Sequence, residues 1–221
     1  MRLLLKALVA FLMGLLITGA MLFLPAGTLA YHGAWLFMAL LFVPIFVMGI
    51  VLFVKNPELL RKRLEMKERE KEQKSMVTLS GLLLIGSFIV AGFDYRFSWS
   101  HVSDIIVLIS SVVLLVGYAL YAEVLRENVY LSRVVEVQDN QHVIDTGLYG
   151  IVRHPMYFAV TLLYLTIPLV LGSWWAMLVM SPCILLLVIR IKNEEQLLQH
   201  GLPGYTDYMK RIRYRMIPFV W

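Results

Sequence analysis

Apolar residues in this chain run in long uncharged blocks instead of recurring on one helical face or alternating. Four blocks, about Ala7–Leu24, Trp35–Val54, Met76–Phe93 and Ile105–Ala122, approach the length that a helix needs to cross a bilayer, roughly 20 mostly apolar residues for about 30 Å of hydrocarbon. Two shorter blocks follow, about Pro155–Leu171 and Trp174–Ile189, separated only by Gly172-Ser173. That junction predicts a helical hairpin whose arms either cross fully or dip inward. In lipid every backbone amide must be satisfied internally, which helices achieve within one segment. The pattern therefore predicts an all-α polytopic membrane bundle of about four spans plus a C-terminal helical hairpin.

Composition agrees. Of 221 residues, 60% are hydrophobic and 16% are charged, more apolar surface than a soluble core of this size hides. The single cysteine, Cys183, lies inside an apolar block, which rules out a disulfide framework or a cysteine-built zinc site. The five histidines form no H-x-x-x-H pair, so no metal site is expected. No internal repeat or low-complexity linker interrupts the chain, which predicts a single membrane domain over residues 1–221.

The net charge is +5, and its distribution sets the expected orientation. Residues 55–75 are dense in Lys and Arg, and the segment after Glu123 and the C-terminal tail carry further arginines. Pro25–Gly33 has no charge, and Asp94–Ser103 has only Asp94 and Arg96. The N-terminus, loop 55–75, the segment 123–153 and the C-terminus are therefore expected on the cytoplasmic side. Within loop 55–75 the two signs alternate at helical spacing, which predicts a solvated helix with i,i+4 pairs. Arg2, Lys6 and the small residues near Thr28-Leu29-Ala30 also fit a signal peptide. The block is long for one, so a retained anchor is expected.

Candidate chemistry begins after the fourth span, in the polar and aromatic residues 123–158. Gly147-Leu148-Tyr149-Gly150 is a turn signal that fixes Tyr149. Arg153-His154-Pro155 opens the hairpin, because proline suits the first helical position and disfavours helix before it. The helix start, its dipole and Arg153 together favour an anion there; taken alone, the pair serves equally as a contact to lipid head groups. Arg190 and Glu194 lie four apart on one helical face, beside Glu195, where the last apolar block leaves the membrane. Beyond a turn at Gly201–Gly204, a basic amphipathic stretch with Tyr205 and Tyr208 either lies on the membrane surface or folds over a site as a lid. There is no G-x-G-x-x-G, P-loop or G-x-S-x-G motif.

Taken in order, Val137-Gln138, G-x-Y-x-x-x-R-H-P-x-Y over Gly147–Tyr157, R-x-x-x-E-E-x-x-L over Arg190–Leu198, the tyrosines after Gly204 and the late Pro218 resemble the isoprenylcysteine carboxyl methyltransferase family. Those proteins group with the phospholipid methyltransferases, integral membrane enzymes that use S-adenosylmethionine. The resemblance covers about residues 123–221 and makes 1–122 mainly scaffold. It implies a cofactor pocket at the cytoplasmic ends of the last spans, formed by Gln138, the run Gln141, His142, Val143 and Ile144, Tyr149, the run His154, Pro155, Met156 and Tyr157, and Glu194. Arg190 is implied as the substrate-facing group, paired with an acceptor carboxylate, and Arg190 and Glu194 as the catalytic pair. The loop before Gly147 is shorter than in eukaryotic relatives, and the compact chain suggests a bacterial cytoplasmic membrane.

The expected reaction is carboxyl O-methylation of an isoprenylcysteine-type, lipid-borne acceptor, with membrane lipids around it and no nucleic acid partner. A carboxylate is nucleophilic already and needs no general base. An amine or phospholipid acceptor would instead ask Glu194 or Glu195 to remove a proton. Membrane sterol reductases, which use NADPH, share a similar R-H-x-x-Y region but are usually longer. An inactive membrane scaffold is the remaining alternative.

Overall fold

A computed structural model describes residues 2–55, 57–65, 71–128, 130 and 140–221. Nine α-helices are placed among them: α1 (Arg2–Ala26), α2 (His32–Lys55), α3 (Pro57–Glu65), α4 (Lys71–Phe97), α5 (Asp104–Glu127), α6 (Pro155–Val170), α7 (Trp174–Met180), α8 (Pro182–Gly201) and α9 (Tyr205–Arg211). No strand occurs among the described residues. Five stretches are long and apolar enough to cross a membrane: Leu3–Ala26, His32–Lys55, Met76–Phe97, Asp104–Glu127 and Trp174–Gly201. Large apolar side chains such as Leu5, Leu16, Val43, Ile105 and Leu185 stay exposed on them. That is the arrangement of helices solvated by lipid instead of water. The chain is a polytopic, all-α membrane bundle.

The helices outrun the uncharged blocks. Helix α5 continues through Glu123 to Glu127, and α8 through Arg190 and Glu195 to Gly201, because backbone hydrogen bonding does not stop where hydrocarbon stops. The hairpin forms around Gly172, whose φ of 78° places it in the left-handed region that glycine enters without steric cost. Its arms are unequal. Helix α6 has 16 residues, whereas the second arm is interrupted at Ser181-Pro182 and is, as a whole, long enough to span. In the charged loop, α3 forms as expected for a helix there, and residues 66–70 lie outside the described part.

Contacts divide the chain into two compact units. The first comprises Met1–Lys67, Gly81–Ser111 and Thr166–Met180. Leu22, Ala34, Phe37, Ala91, Val170 and Ala176 are fully buried in it. Gly92 lets α4 approach α1 closely, since a Cβ there would sit 2.7 Å from the Leu22 carbonyl oxygen. A polar cluster fixes the hairpin apex. Asp94, 1% exposed, accepts the Ser100 N–H at 2.7 Å, the Ser100 hydroxyl at 2.6 Å and the Ser173 hydroxyl. The Ser173 oxygen in turn accepts the Ala176 N–H at 3.0 Å, capping α7, as N-terminal serines do. Tyr31 donates to the Leu171 carbonyl at 2.5 Å.

The second unit comprises Glu68–Ser80, Val112–Leu165 and Ser181–Trp221. Gly117 on α5 faces Leu163 on α6, with room for a Cβ only at 3.0 Å. Leu114, Val124, Ala159, Cys183 and Ile191 form its fully buried interior. Tyr157, Leu187, Ile191 and Met216 cluster at one place, and Leu202, Tyr205 and Tyr208 at another.

Replacing Asp94 with alanine removes the acceptor for three donors near the hairpin apex. Each buried donor left unpaired costs about 1–3 kcal/mol, so Asp94→Ala is expected to lower the thermal midpoint in detergent by at least about 5 °C. A midpoint equal to that of the wild type would contradict the account of the apex.

Candidate functional site

The site lies within the second unit, and its construction starts at the end of α5. Asn128 follows that helix and makes a side-chain turn, its Oδ1 accepting the Tyr130 N–H at 3.0 Å. Its Nδ2 donates to the Tyr149 hydroxyl at 2.9 Å. The Glu127 carboxylate accepts the Leu148 N–H at 3.2 and 3.0 Å. Gly147, at φ 53°, presses its hydrogens against that carboxylate, leaving no space for a Cβ. The expected turn at Gly147–Gly150 forms as one turn of 3₁₀ helix and delivers Tyr149 to a buried position. Burial pushes the Tyr149 hydroxyl up to about 12, against the opposing Asn128 hydrogen bond and with help from the Glu194 charge.

Helix α6 begins at Pro155 as the sequence predicts. The anion beside its start is the protein's own Glu195, 2% exposed. Arg153 reaches Glu195 Oε1 through Nε at 2.7 Å and through Nη2 at 2.7 Å. His154 Nε2 lies 3.2 Å from the same oxygen. Arg215 Nε binds Oε2 at 2.7 Å. Arg153 also donates through Nη1 to the carbonyls of Ile212 and Arg213, at 2.7 and 2.8 Å. Backbone bonds continue the clasp: Arg153 N–H to the Tyr214 carbonyl at 2.9 Å, and His154 N–H to the Arg215 carbonyl at 2.7 Å. The basic C-terminal stretch, for which the sequence left two fates open, is therefore held against the start of α6.

Arg190 and Glu194 share a face of α8, joined through one hydroxyl. Arg190 Nε donates to the Tyr157 oxygen at 3.0 Å, and Tyr157 donates to Glu194 Oε2 at 2.5 Å. Helix α9 adds two tyrosines. Tyr208 donates to the Tyr149 carbonyl at 2.8 Å. Burial, with the charges of Glu195 and Glu194, pushes the Tyr205 hydroxyl well above its usual range.

These groups line one cavity. Gln141, His142, Val143, Ile144, Tyr149, His154, Met156, Tyr157, Arg190 and Glu194 all contribute to its wall. Pro155 is not in the wall; its part is to begin α6. Gln138 lies outside the described residues. Asn128, Tyr130, Arg153, Leu198, Leu202, Tyr205 and Tyr208 complete the lining; the sequence had marked Arg153 as an anion-favouring group and Tyr205 and Tyr208 as part of a stretch that lies on the membrane or covers a site, but had given the other four no part in a pocket. Signals for some were visible in retrospect: the doubled acid Glu194-Glu195 asks for two sets of partners, and Tyr205 and Tyr208 share a helical face at i,i+3 spacing. Asn128 carried no such signal.

The chain is thus a multi-pass helical membrane protein with a cavity walled by tyrosines, an arginine and a carboxylate. Residues 106–200 match the model of the "Isoprenylcysteine carboxyl methyltransferase (ICMT) family". The match spans 95 of the 221 residues, and over that stretch the chain is similar to this family. The matched residues include Tyr149, Tyr157, Arg190, Glu194 and Glu195, and stop before α9 and the tail. No curated protein matches the chain.

The neighbouring carboxylates are expected to separate on substitution. Glu195→Gln leaves buried Arg153 without its counter-charge and should cost about 3 kcal/mol or more, seen as a depressed thermal midpoint in detergent. Glu194→Gln retains an acceptor for Tyr157 and should cost no more than about 1 kcal/mol. Equal losses in the two variants would refute the distinction.

Proposed function

We propose that this protein is an S-adenosylmethionine-dependent methyltransferase that acts on a lipid-borne acceptor, by carboxyl O-methylation of an isoprenylcysteine-type substrate. The observation that carries this reading is the convergence of Gln141–Ile144, Tyr149, His154, Met156, Tyr157, Arg190 and Glu194 about one cavity, within residues matched by the family. The lining suits the cofactor chemically. Tyrosine faces and a carboxylate favour a sulfonium and an ammonium, while Val143, Ile144, Leu198 and Leu202 offer apolar surface to an adenosine.

When bound, the cofactor supplies an electrophilic methyl group on its sulfonium sulfur. The work of the chain is then orientation. Glu194 holds the cationic amino group, and Gln138, the run Gln141–Ile144, Tyr149 and the run His154–Tyr157 hold the remainder. Arg190 holds the acceptor carboxylate, and Tyr157 fixes the side chains of Arg190 and Glu194 relative to each other. No proton has to leave a carboxylate before it attacks, so restricting two reactants to a productive approach is the main demand, and this can be worth several kcal/mol. The uneven placement of Lys and Arg supports a cytoplasmic N-terminus, loop 55–75 and C-terminus. A water-soluble donor would then enter from the cytoplasm and a lipid-borne acceptor from the bilayer.

The test is titration of the purified full-length protein in detergent with S-adenosylmethionine and, separately, with NADPH. Saturable binding of S-adenosylmethionine, weakened at least about tenfold in Glu194→Gln, is the expected result. Binding of NADPH alone would overturn the reading. Methyl transfer from labelled cofactor is expected to a prenylcysteine and to depend on Arg190. Transfer to phosphatidylethanolamine without transfer to prenylcysteine would replace the acceptor with an amine.

A further inference from the structure

One polar group in the cavity wall is not used by the fold. The Tyr205 hydroxyl is buried and has no hydrogen-bond partner among the described residues. The residue as a whole is 4% exposed and lines the cavity. Its ring is firmly placed, packed with Leu202 and Tyr208 and lying 5.7 Å from the Tyr208 ring, centroid to centroid. The contrast with its neighbours is informative. Tyr157 and Tyr208 donate their hydroxyls inside the protein, to Glu194 and to the Tyr149 carbonyl, and the Tyr149 hydroxyl oxygen accepts from Asn128. A buried hydroxyl without a partner is a net cost to the fold, and a phenylalanine would fill the same space without that cost.

The charges around Tyr205 indicate which part of a ligand it meets. Glu194, Glu195 and Arg153 all act on this hydroxyl electrostatically. Glu195 and Arg153 are already joined to each other at 2.7 Å. Of these three, Glu194 and Arg153 stand in the cavity wall at this end, and an uncharged purine gains little from such surroundings. A zwitterionic amino-acid group, with an ammonium and a carboxylate close together, matches both signs.

We infer that Tyr205 is a ligand-positioning residue whose hydroxyl hydrogen-bonds the amino-acid end of the methyl donor and thereby discriminates for it. This rests on the cofactor reading given above. The hydroxyl keeps its proton throughout the physiological range, so it donates to the ligand carboxylate, beside the ammonium held by Glu194. In the absence of ligand the same hydroxyl is a small cost to the fold, which the bound ligand removes.

The test uses the full-length protein in detergent and the variant Tyr205→Phe, with two probes. S-adenosylhomocysteine carries the amino-acid end, and 5′-methylthioadenosine lacks it. Calorimetric titration is expected to show the Kd for S-adenosylhomocysteine rising about tenfold in the variant, with the Kd for 5′-methylthioadenosine changed less than about twofold. The ligand-free thermal midpoint of Tyr205→Phe should equal or exceed that of the wild type. A residue with only a structural role would lower that midpoint and leave the ratio of the two affinities unchanged, which would overturn the inference. Equal weakening for both probes would also overturn it, by moving the contact to the adenosine end. If wild-type protein binds neither probe, the cofactor reading itself fails.

Discussion

The second unit is organised around a carboxylate that water cannot reach. Glu195 is 2% exposed, and a charge so placed is tolerable only if opposite charges and hydrogen bonds surround it. Its partners come from distant parts of the chain: Arg153 and His154 from the start of α6, and Arg215 from the tail. Satisfying one side chain therefore fixes three segments at once. The tail is further committed by the carbonyls of Ile212, Arg213, Tyr214 and Arg215, which accept bonds from Arg153 and His154. With these segments fixed, Tyr157, one turn into α6, meets Arg190 and Glu194 on the adjoining face of α8. Consecutive residues on a helix diverge by about 100°, so Glu195 can anchor the fold while Glu194 borders the cavity.

The same physical device recurs in the first unit with uncharged partners. Asp94 gathers hydroxyls and an N–H around the hairpin apex. Apolar packing gives little preference among arrangements when the surroundings are hydrocarbon as well. Buried polar groups then acquire more say over which segments meet, because an unmatched one is costly in lipid and protein alike.

Much of this was legible in the sequence. Uncharged blocks gave the spans, Gly172-Ser173 gave the hairpin, Pro155 gave the start of α6, and the i,i+4 spacing of Arg190 and Glu194 gave a shared face. These are local signals, carried by a few adjacent residues. The sequence misled where a local rule met a distant partner. Arg153 and the helix start called for an anion, and nothing nearby indicated that Glu195, 42 residues later, would supply it. The uncharged blocks stop short of the helix ends, because charge density marks the edge of hydrocarbon and not the end of hydrogen bonding. The unspent hydroxyl of Tyr205 is a property of packing alone; the other cavity tyrosines look no different in sequence. The expectation for Gln138 lies outside the described residues.

The central claim is that the cavity walled by residues 141–157, 190–198 and 202–208 receives the methyl donor. Hydrogen–deuterium exchange of the full-length protein, with and without saturating S-adenosylhomocysteine, addresses it directly. The account predicts slower exchange on ligand addition in peptides covering residues 141–157 and 202–208, with no change in peptides from residues 3–54. Protection confined to residues 3–54, or unchanged exchange throughout at ligand saturation, would contradict it.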